Sequence, residues 1–135
     1  MLYFIKPMKL VQSCKNACYF DQTIRPHNDT VSIGVTFTNK QVFKVDSVAI
    51  ISENTVIGKN VKHLFTEQVK RKWDCRFFIY LTRDELRRLY VETPPILSFY
   101  GKDNSNIQIE VKQKKWEKTL KINGAIYRQI KLNEH

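Results

Sequence analysis

The sequence predicts a mainly β protein, an antiparallel β-sandwich of roughly seven to nine strands with one or two short inserted helices, and an α+β roll as the alternative architecture. Three observations carry this. Val31, Ile33, Val35 and Phe37 alternate with Ser32, Gly34, Thr36 and Thr38, the period of a strand with one face on a core and one in water. Residues 76 to 101, RFFIYLTRDELRRLYVETPPILSFYG, pass from strand to short helix and back. Apolar runs of strand length recur at close spacing elsewhere, with no repeat, low-complexity tract or linker between them. Residues 1–135 are therefore expected to form one domain, alone or as the folded part of a longer protein.

In chain order, Leu2 to Ile5 reads as a short strand and Lys9 to Val11 as a second, after which the stretch through Pro26 has no clean period and reads as loop. The alternating strand from Thr30 is expected to form a hairpin with Val42 to Val45. A loop of Asn39, Lys40 and Gln41 would set Phe37 opposite Phe43 and Val35 opposite Val45. Ser47 to Ile51 is apolar on both faces and Val56-Ile57 follows four polar residues, which predicts a second hairpin near a sheet centre. Phe65, Val69 and Trp73 recur at intervals of four, the spacing of a short helix starting near Thr66.

Phe77 to Leu81 is bulky on both faces, and a strand buried on both sides is expected there. Thr82 followed three residues later by Glu85 is a capping box. Leu81 and Leu86 fit a hydrophobic staple, and Leu86, Leu89 and Tyr90 form an apolar stripe, so a helix of about ten residues begins at Thr82 or Arg83. Pro94 and Pro95 end it, because proline offers no N–H and disfavours helical geometry before it. Ile96 to Tyr100 resumes a strand, and Ile107, Ile109 and Val111 mark another. Asn123-Gly124 is the preferred pair for a type I′ turn and predicts a closing hairpin that pairs Leu120 with Tyr127, although neither face of that hairpin is cleanly apolar.

With 42% hydrophobic and 12% aromatic residues in 135, the chain has enough apolar material for a core, which excludes a disordered composition. MLYFI is cut short by Lys6 and Pro7, below the length of a secretory h-region, and no run approaches the length of a membrane span. No transmembrane segment is expected, and the odd cysteine count of three points to free thiols in a reducing compartment, cytoplasm or nucleus. Cys14, Cys18 and His27 have a spacing at the edge of the zinc pattern and no clear fourth ligand, so no metal and no cofactor is expected.

Catalytic constellations are thin. His27, His63 and His135 are scattered, G-x-S-x-G, H-E-x-x-H and C-x-x-C are absent, and four glycines leave no phosphate-cradling loop. Asp84 and Glu85 are adjacent carboxylates that helix capping and an Asp84–Arg88 pair explain without catalysis.

Charge is the feature that stands out. Of the net +10, residues 59–88 hold nine Lys and Arg against four acids and residues 112–131 seven against one, whereas residues 1–58 are near balance. The candidate contacts to an acidic partner or a polyanion are Lys70, Arg71, Lys72, Arg76, Arg83, Arg87 and Arg88 in the first segment. Lys112, Lys114, Lys115, Lys118 and Lys121 are the candidates in the second. The bland alternative is a solvated surface that keeps strand edges and helix faces soluble. Trp73, Trp116 and Tyr127 would serve as base-stacking platforms on the nucleic-acid reading and as packing on the structural one. The expectation is a non-catalytic intracellular binding or scaffold module with a protein partner. A nucleic-acid binder using both basic segments comes second, anionic lipid is a further candidate ligand, and an enzyme with a site not visible as a motif comes third.

Overall fold

The computed structural model describes the backbone of residues 3–12, 16–24, 29–53, 55–102 and 105–133, with side chains described between residues 17 and 125. The elements run β1 (Tyr3–Gln12), β2 (Asn16–Ile24), β3 (Thr30–Asn39), β4 (Ser47–Ser52), β5 (Thr55–Asn60), β6 (Lys62–Val69), β7 (Lys72–Thr82), α1 (Arg83–Leu89), β8 (Ile96–Tyr100), β9 (Asn106–Glu110) and α2 (Gln113–Asn133). They form two antiparallel sheets, one of five strands in the order β1-β2-β3-β7-β6 and one of four in the order β5-β4-β8-β9. The protein is a mainly β sandwich.

The sandwich closes on aromatic rings. Phe37 of β3 and Phe77 of β7 each meet Phe99 of β8 edge to face, at centroid distances of 5.1 and 5.6 Å, and all three are essentially inaccessible. Edge-to-face contacts suit the ring quadrupole and lock the two sheets in register. On β3 the alternation is as the sequence predicts, with Val31, Ile33, Val35 and Phe37 buried. Its partners are different. It lies between β2 and β7, with Phe37 opposite Cys18 on one side and Cys75 on the other. Residues 42–46 form no strand, yet Phe43 still reaches the Phe37 ring, at 6.3 Å, and Val45 is fully buried. A loop delivers the contact that a hairpin register was expected to deliver.

The N-terminal stretch is a pair of long strands rather than loop, β1 against β2. Two register shifts, between Ile5 and Met8 and between Lys9 and Val11, break the alternation, and Pro7 sits in the first of them on an edge strand, where its missing N–H costs least. In β2 the core face carries the polar Gln22 beside Cys18, Phe20 and Ile24, which hides the pattern further.

The predicted hairpin of β4 with β5 is present, with Ile50 opposite Ile57, but β5 is an edge and only β4 is internal. The helix expected near Thr66 is the strand β6. Phe65 and Val69 share a face in either element, because a spacing of four is a multiple of the strand period as well as one helical turn, and Trp73 belongs to the next strand after the chain reverses at Lys70-Arg71. On β7 burial alternates, with Phe77, Ile79 and Leu81 inside, Phe78 half-buried and Tyr80 exposed, so it is covered on one face and not on both.

Helix α1 has its capping box: the Thr82 hydroxyl accepts from the Glu85 N–H at 3.1 Å and the Glu85 carboxylate accepts from the Thr82 N–H at 3.0 Å. It runs for seven residues rather than about ten and buries Leu86 and Leu89 over one end of the sandwich. The largest departure is α2. Residues 113–133 are one helix of 21 residues, and Asn123-Gly124 lies within it rather than at a turn. Trp116, Thr119 and Asn123 are buried and Leu120 half-buried, a stripe at i, i+3, i+4 and i+7 that explains why neither face of the expected hairpin was cleanly apolar. Trp116 anchors the helix. It stacks on Tyr90 at 5.3 Å, and its indole N–H donates to the Val91 carbonyl at 2.7 Å. The Tyr90 hydroxyl in turn accepts from the Gln22 amide, and α2 packs along β1. Among the described residues no helix is long and apolar enough to cross a membrane.

Candidate interaction surface

Exposed apolar side chains line one edge of each sheet, Val56 on β5 and Leu64, Phe65 and Val69 on β6. Strand β5 ends the four-stranded sheet and β6 ends the five-stranded one, and a single residue, Val61, joins them, its N–H bonded to the Asp46 carbonyl. Among the described residues strand β6 pairs only with β7, and Leu64, Phe65 and Val69 along it are 48, 39 and 44% exposed. Leu64 is the extra residue of a bulge between the His63–Phe77 and Phe65–Arg76 pairs, and His63 Nε2 lies 2.7 Å from the Thr66 hydroxyl. Beyond Val69 the chain turns through Lys70 and Arg71. Lys70 holds a φ of 58°, the left-handed region, where a lysine costs on the order of 1 kcal/mol relative to glycine. At this tip a shallow depression of about 560 Å³ is lined by Thr38, Val69, Lys70, Arg71, Lys72 and Asp74, with the Thr38 hydroxyl donating to Asp74 at 2.7 Å.

The predicted site residues divide sharply. Lys70, Arg71 and Lys72 crown the ribbon tip and make no ion pair among the described residues; Lys62, which the sequence reading did not single out, starts the same edge. Arg76 is structural. Its guanidinium crosses β3 to grip Asp21 through both oxygens at 2.9 and 3.2 Å, donates to the Thr36 hydroxyl at 2.9 Å and lies 5.1 Å from the Phe78 ring centre. Asp21 is 4% exposed although it points to the outer face, and the bridge passes over Gly34, where an added Cβ would collide with the Asp21 carboxylate and stand 2.8 Å from Arg76 Nη2. Arg83 opens α1 half-buried, its N–H bonded to the Asp29 carbonyl. Arg87 and Arg88 are exposed and share Asp84 at 3.4 and 3.3 Å.

In the second segment Lys114, Lys118 and Lys121 form an exposed stripe on α2, Lys112 is exposed just before it and Lys115 is half-buried. The ribbon tip and the α2 lysines are not brought together, whereas Arg87 and Arg88 close α1 just before Tyr90, which stacks on Trp116 of the second segment. Helix α2 packs on β1 and the ribbon tip lies beside β6, the opposite edge of the same sheet, so four strand spacings separate them, roughly 19 Å. That is more than twice the screening length of about 8 Å at physiological salt, so the two cation groups act independently.

Of the aromatic candidates, Trp116 is fully buried and unavailable for stacking on a base, Trp73 is half-buried, and the Tyr127 side chain lies outside the described residues. Cys14 and His27 also lie outside them. Cys18 is buried and its thiol is pushed up to about 12 by that burial, which opposes the thiolate a metal would need. Cys18 and Cys75 are free thiols on strands that flank β3. Glu85 sits under two opposed influences. Burial pushes its pKa up, but hydrogen bonds from Lys59, at 2.7 Å, and from Thr82, with the Lys59 charge, outweigh this and hold it below the ordinary value.

The edge of β6 escaped the sequence reading because its weak alternation was read at helical period, and the Asp21–Arg76 bridge because its partners are 55 residues apart. No family model, curated protein or solved structure matches the chain.

Proposed function

We propose that the chain is a non-catalytic intracellular binding or scaffold module that engages a protein partner through the β6–β7 ribbon. The observation that carries this reading is the coincidence, along one exposed edge strand and the turn that leaves it, of Leu64, Phe65 and Val69 with Lys62, Lys70, Arg71 and Lys72. Exposed apolar side chains rimmed by charge are what a protein interface looks like before its partner arrives. A nucleic-acid contact using segments 59–88 and 112–131 together has less support. The ribbon tip and the α2 stripe lie at opposite edges of a sheet, Arg76 is already held by Asp21, and Trp116 is buried. An anionic lipid surface would meet the same division.

The test is photo-cross-linking in cells of origin from a photo-reactive phenylalanine analogue at position 64, with the same analogue at exposed Gln108 of β9 as control. The expected result is a discrete protein adduct from position 64 that Phe65→Glu abolishes and that position 108 does not give. Adducts to nucleic acid, or equal capture from both positions, would remove the reading.

A further inference from the structure

The partner's chemistry can be read from the same edge, and this step rests on the reading that a protein engages the ribbon. We propose that β6 accepts an added strand, an extended acidic segment of the partner that alternates carboxylate and apolar side chains. Among the described residues strand β6 is the last of its sheet and hydrogen-bonds to β7 alone, which leaves one row of its backbone groups open. Past the bulge at Leu64, Phe65 to Val69 pairs regularly with β7, a straight edge of about 17 Å at the usual rise per residue. Phe65, Glu67 and Val69 project from one face of that edge, so two of its three side chains offer apolar contacts to an incoming strand.

Charge selects the occupant. Lys62 stands at one end of β6 and Lys70, Arg71 and Lys72 at the other, with Glu67 the single acid along the strand. A second copy of this chain is disfavoured. Antiparallel pairing of β6 with itself would set Lys62 of each copy near the Lys70 end of the other, and parallel pairing would set Lys62 on Lys62, so cations meet cations either way. The net charge of +10 adds to that repulsion. Bulges and edge lysines are devices that keep an edge from pairing with apolar or like-charged strands, and here they leave it open to a strand of opposite charge. An acidic strand places carboxylates against both ends and its backbone against the open row.

The probes are synthetic peptides on the intact chain: (Glu-Val)4, (Lys-Val)4, and (Glu-Val)4 with alternate backbone amides N-methylated, which keeps its charge and blocks pairing. An eight-nucleotide single strand serves as the polyanion control. Anisotropy titrations and amide exchange are read together. The expected results are binding of (Glu-Val)4 with slowed exchange in residues 65–69, at least tenfold weaker binding of the N-methylated peptide, none of (Lys-Val)4, and about a tenfold loss in the variant Lys70→Gln, Arg71→Gln, Lys72→Gln. Equal binding of the N-methylated peptide, absence of (Glu-Val)4 binding at low salt, protection of the same amides by the oligonucleotide instead, or a concentration-dependent dimer paired at β6 would each overturn strand addition. Protein capture from position 64 alongside any of these leaves the binding reading in place and removes only strand addition; no capture there removes both.

Discussion

The ribbon tip and helix α2 carry cations of the same kind at similar density, and the structure puts them to different uses. On α2, Lys114, Lys118 and Lys121 line the wet face of a helix whose other face is pinned by Trp116, and Glu117 and Gln113 lie among them. Such a stripe is how an amphipathic helix stays soluble. At the ribbon, Lys70, Arg71 and Lys72 stand beside exposed apolar side chains and an unpaired strand edge, and Lys70 holds a backbone conformation that glycine or asparagine would adopt at less cost. Positive charge alone does not mark a site. Charge that coincides with unused hydrogen-bonding edge, exposed apolar area and local strain does, because each of those costs free energy in the isolated chain that a partner can return.

Helix α2 is part of the architecture, and the largest expected effect tests that. Trp116→Ala should cost about 3–5 kcal/mol, the range for deleting a buried tryptophan, and should free Tyr90 from its stack. Urea denaturation with tryptophan and tyrosine fluorescence measures it; a loss below 1 kcal/mol would mean that α2 is an appendage whose lysines are free to act as a site.

Next comes the foundation of the ribbon. Asp21→Asn leaves the Arg76 guanidinium without its carboxylate and should cost about 2–3 kcal/mol, less than for a wholly buried pair because Arg76 keeps 23% of its exposure. Pairing it with Arg76→Met should recover much of the loss. A double variant no better than the single one would assign the cost to Gly34 and the strand rather than to the stranded charge.

Smaller effects separate the two cation groups directly. Lys70→Asn, at a positive φ, should raise stability by about 0.5–1 kcal/mol and weaken partner binding. Gly124→Ala, with nothing within 4 Å of the new Cβ, should stabilise α2 by about 0.5–1 kcal/mol and leave binding unchanged. If the two substitutions change binding alike, the ribbon and the helix are not different in kind. Changing Lys114, Lys118 and Lys121 to Gln should shift stability by less than about 0.5 kcal/mol, the usual range for exposed sites.

The smallest effect is a pH dependence at the ion pair that ties β5 to α1. Folding favours ionised Glu85, so its contribution is whole above the unfolded value of about 4.3 and drains away as pH falls toward the lower folded value. The gap in urea midpoint between the native chain and Glu85→Gln should be constant from pH 7 to 5 and close below pH 4. A gap that widens on acidification would reverse the sign of the shift.

Where local signals stood alone, the sequence was legible. The Thr82–Glu85 box placed the start of α1 to within one residue, although the helix stops at Leu89 and not at prolines 94 and 95, and uninterrupted alternation placed β3 and β9. Where two readings shared a spacing, it was not. Residues 65 and 69 satisfy strand and helix alike, and Asn123-Gly124 is a strong turn signal only if no partner rewards a continuous helix. Burial of Trp116 against Tyr90 and Val91 supplies that reward and outweighs the roughly 1 kcal/mol that a mid-helix glycine costs.

From its sequence alone the protein is a mainly β chain with a hydrophobic core, a capped helix between strands and two basic segments. Which strands pair, which arginine is consumed by a buried aspartate and which edge is left open were decided only in three dimensions. Periodicity and capping are written within a few residues of one another, whereas sheet order and ion pairs join residues many tens of positions apart, and no local pattern carries that information.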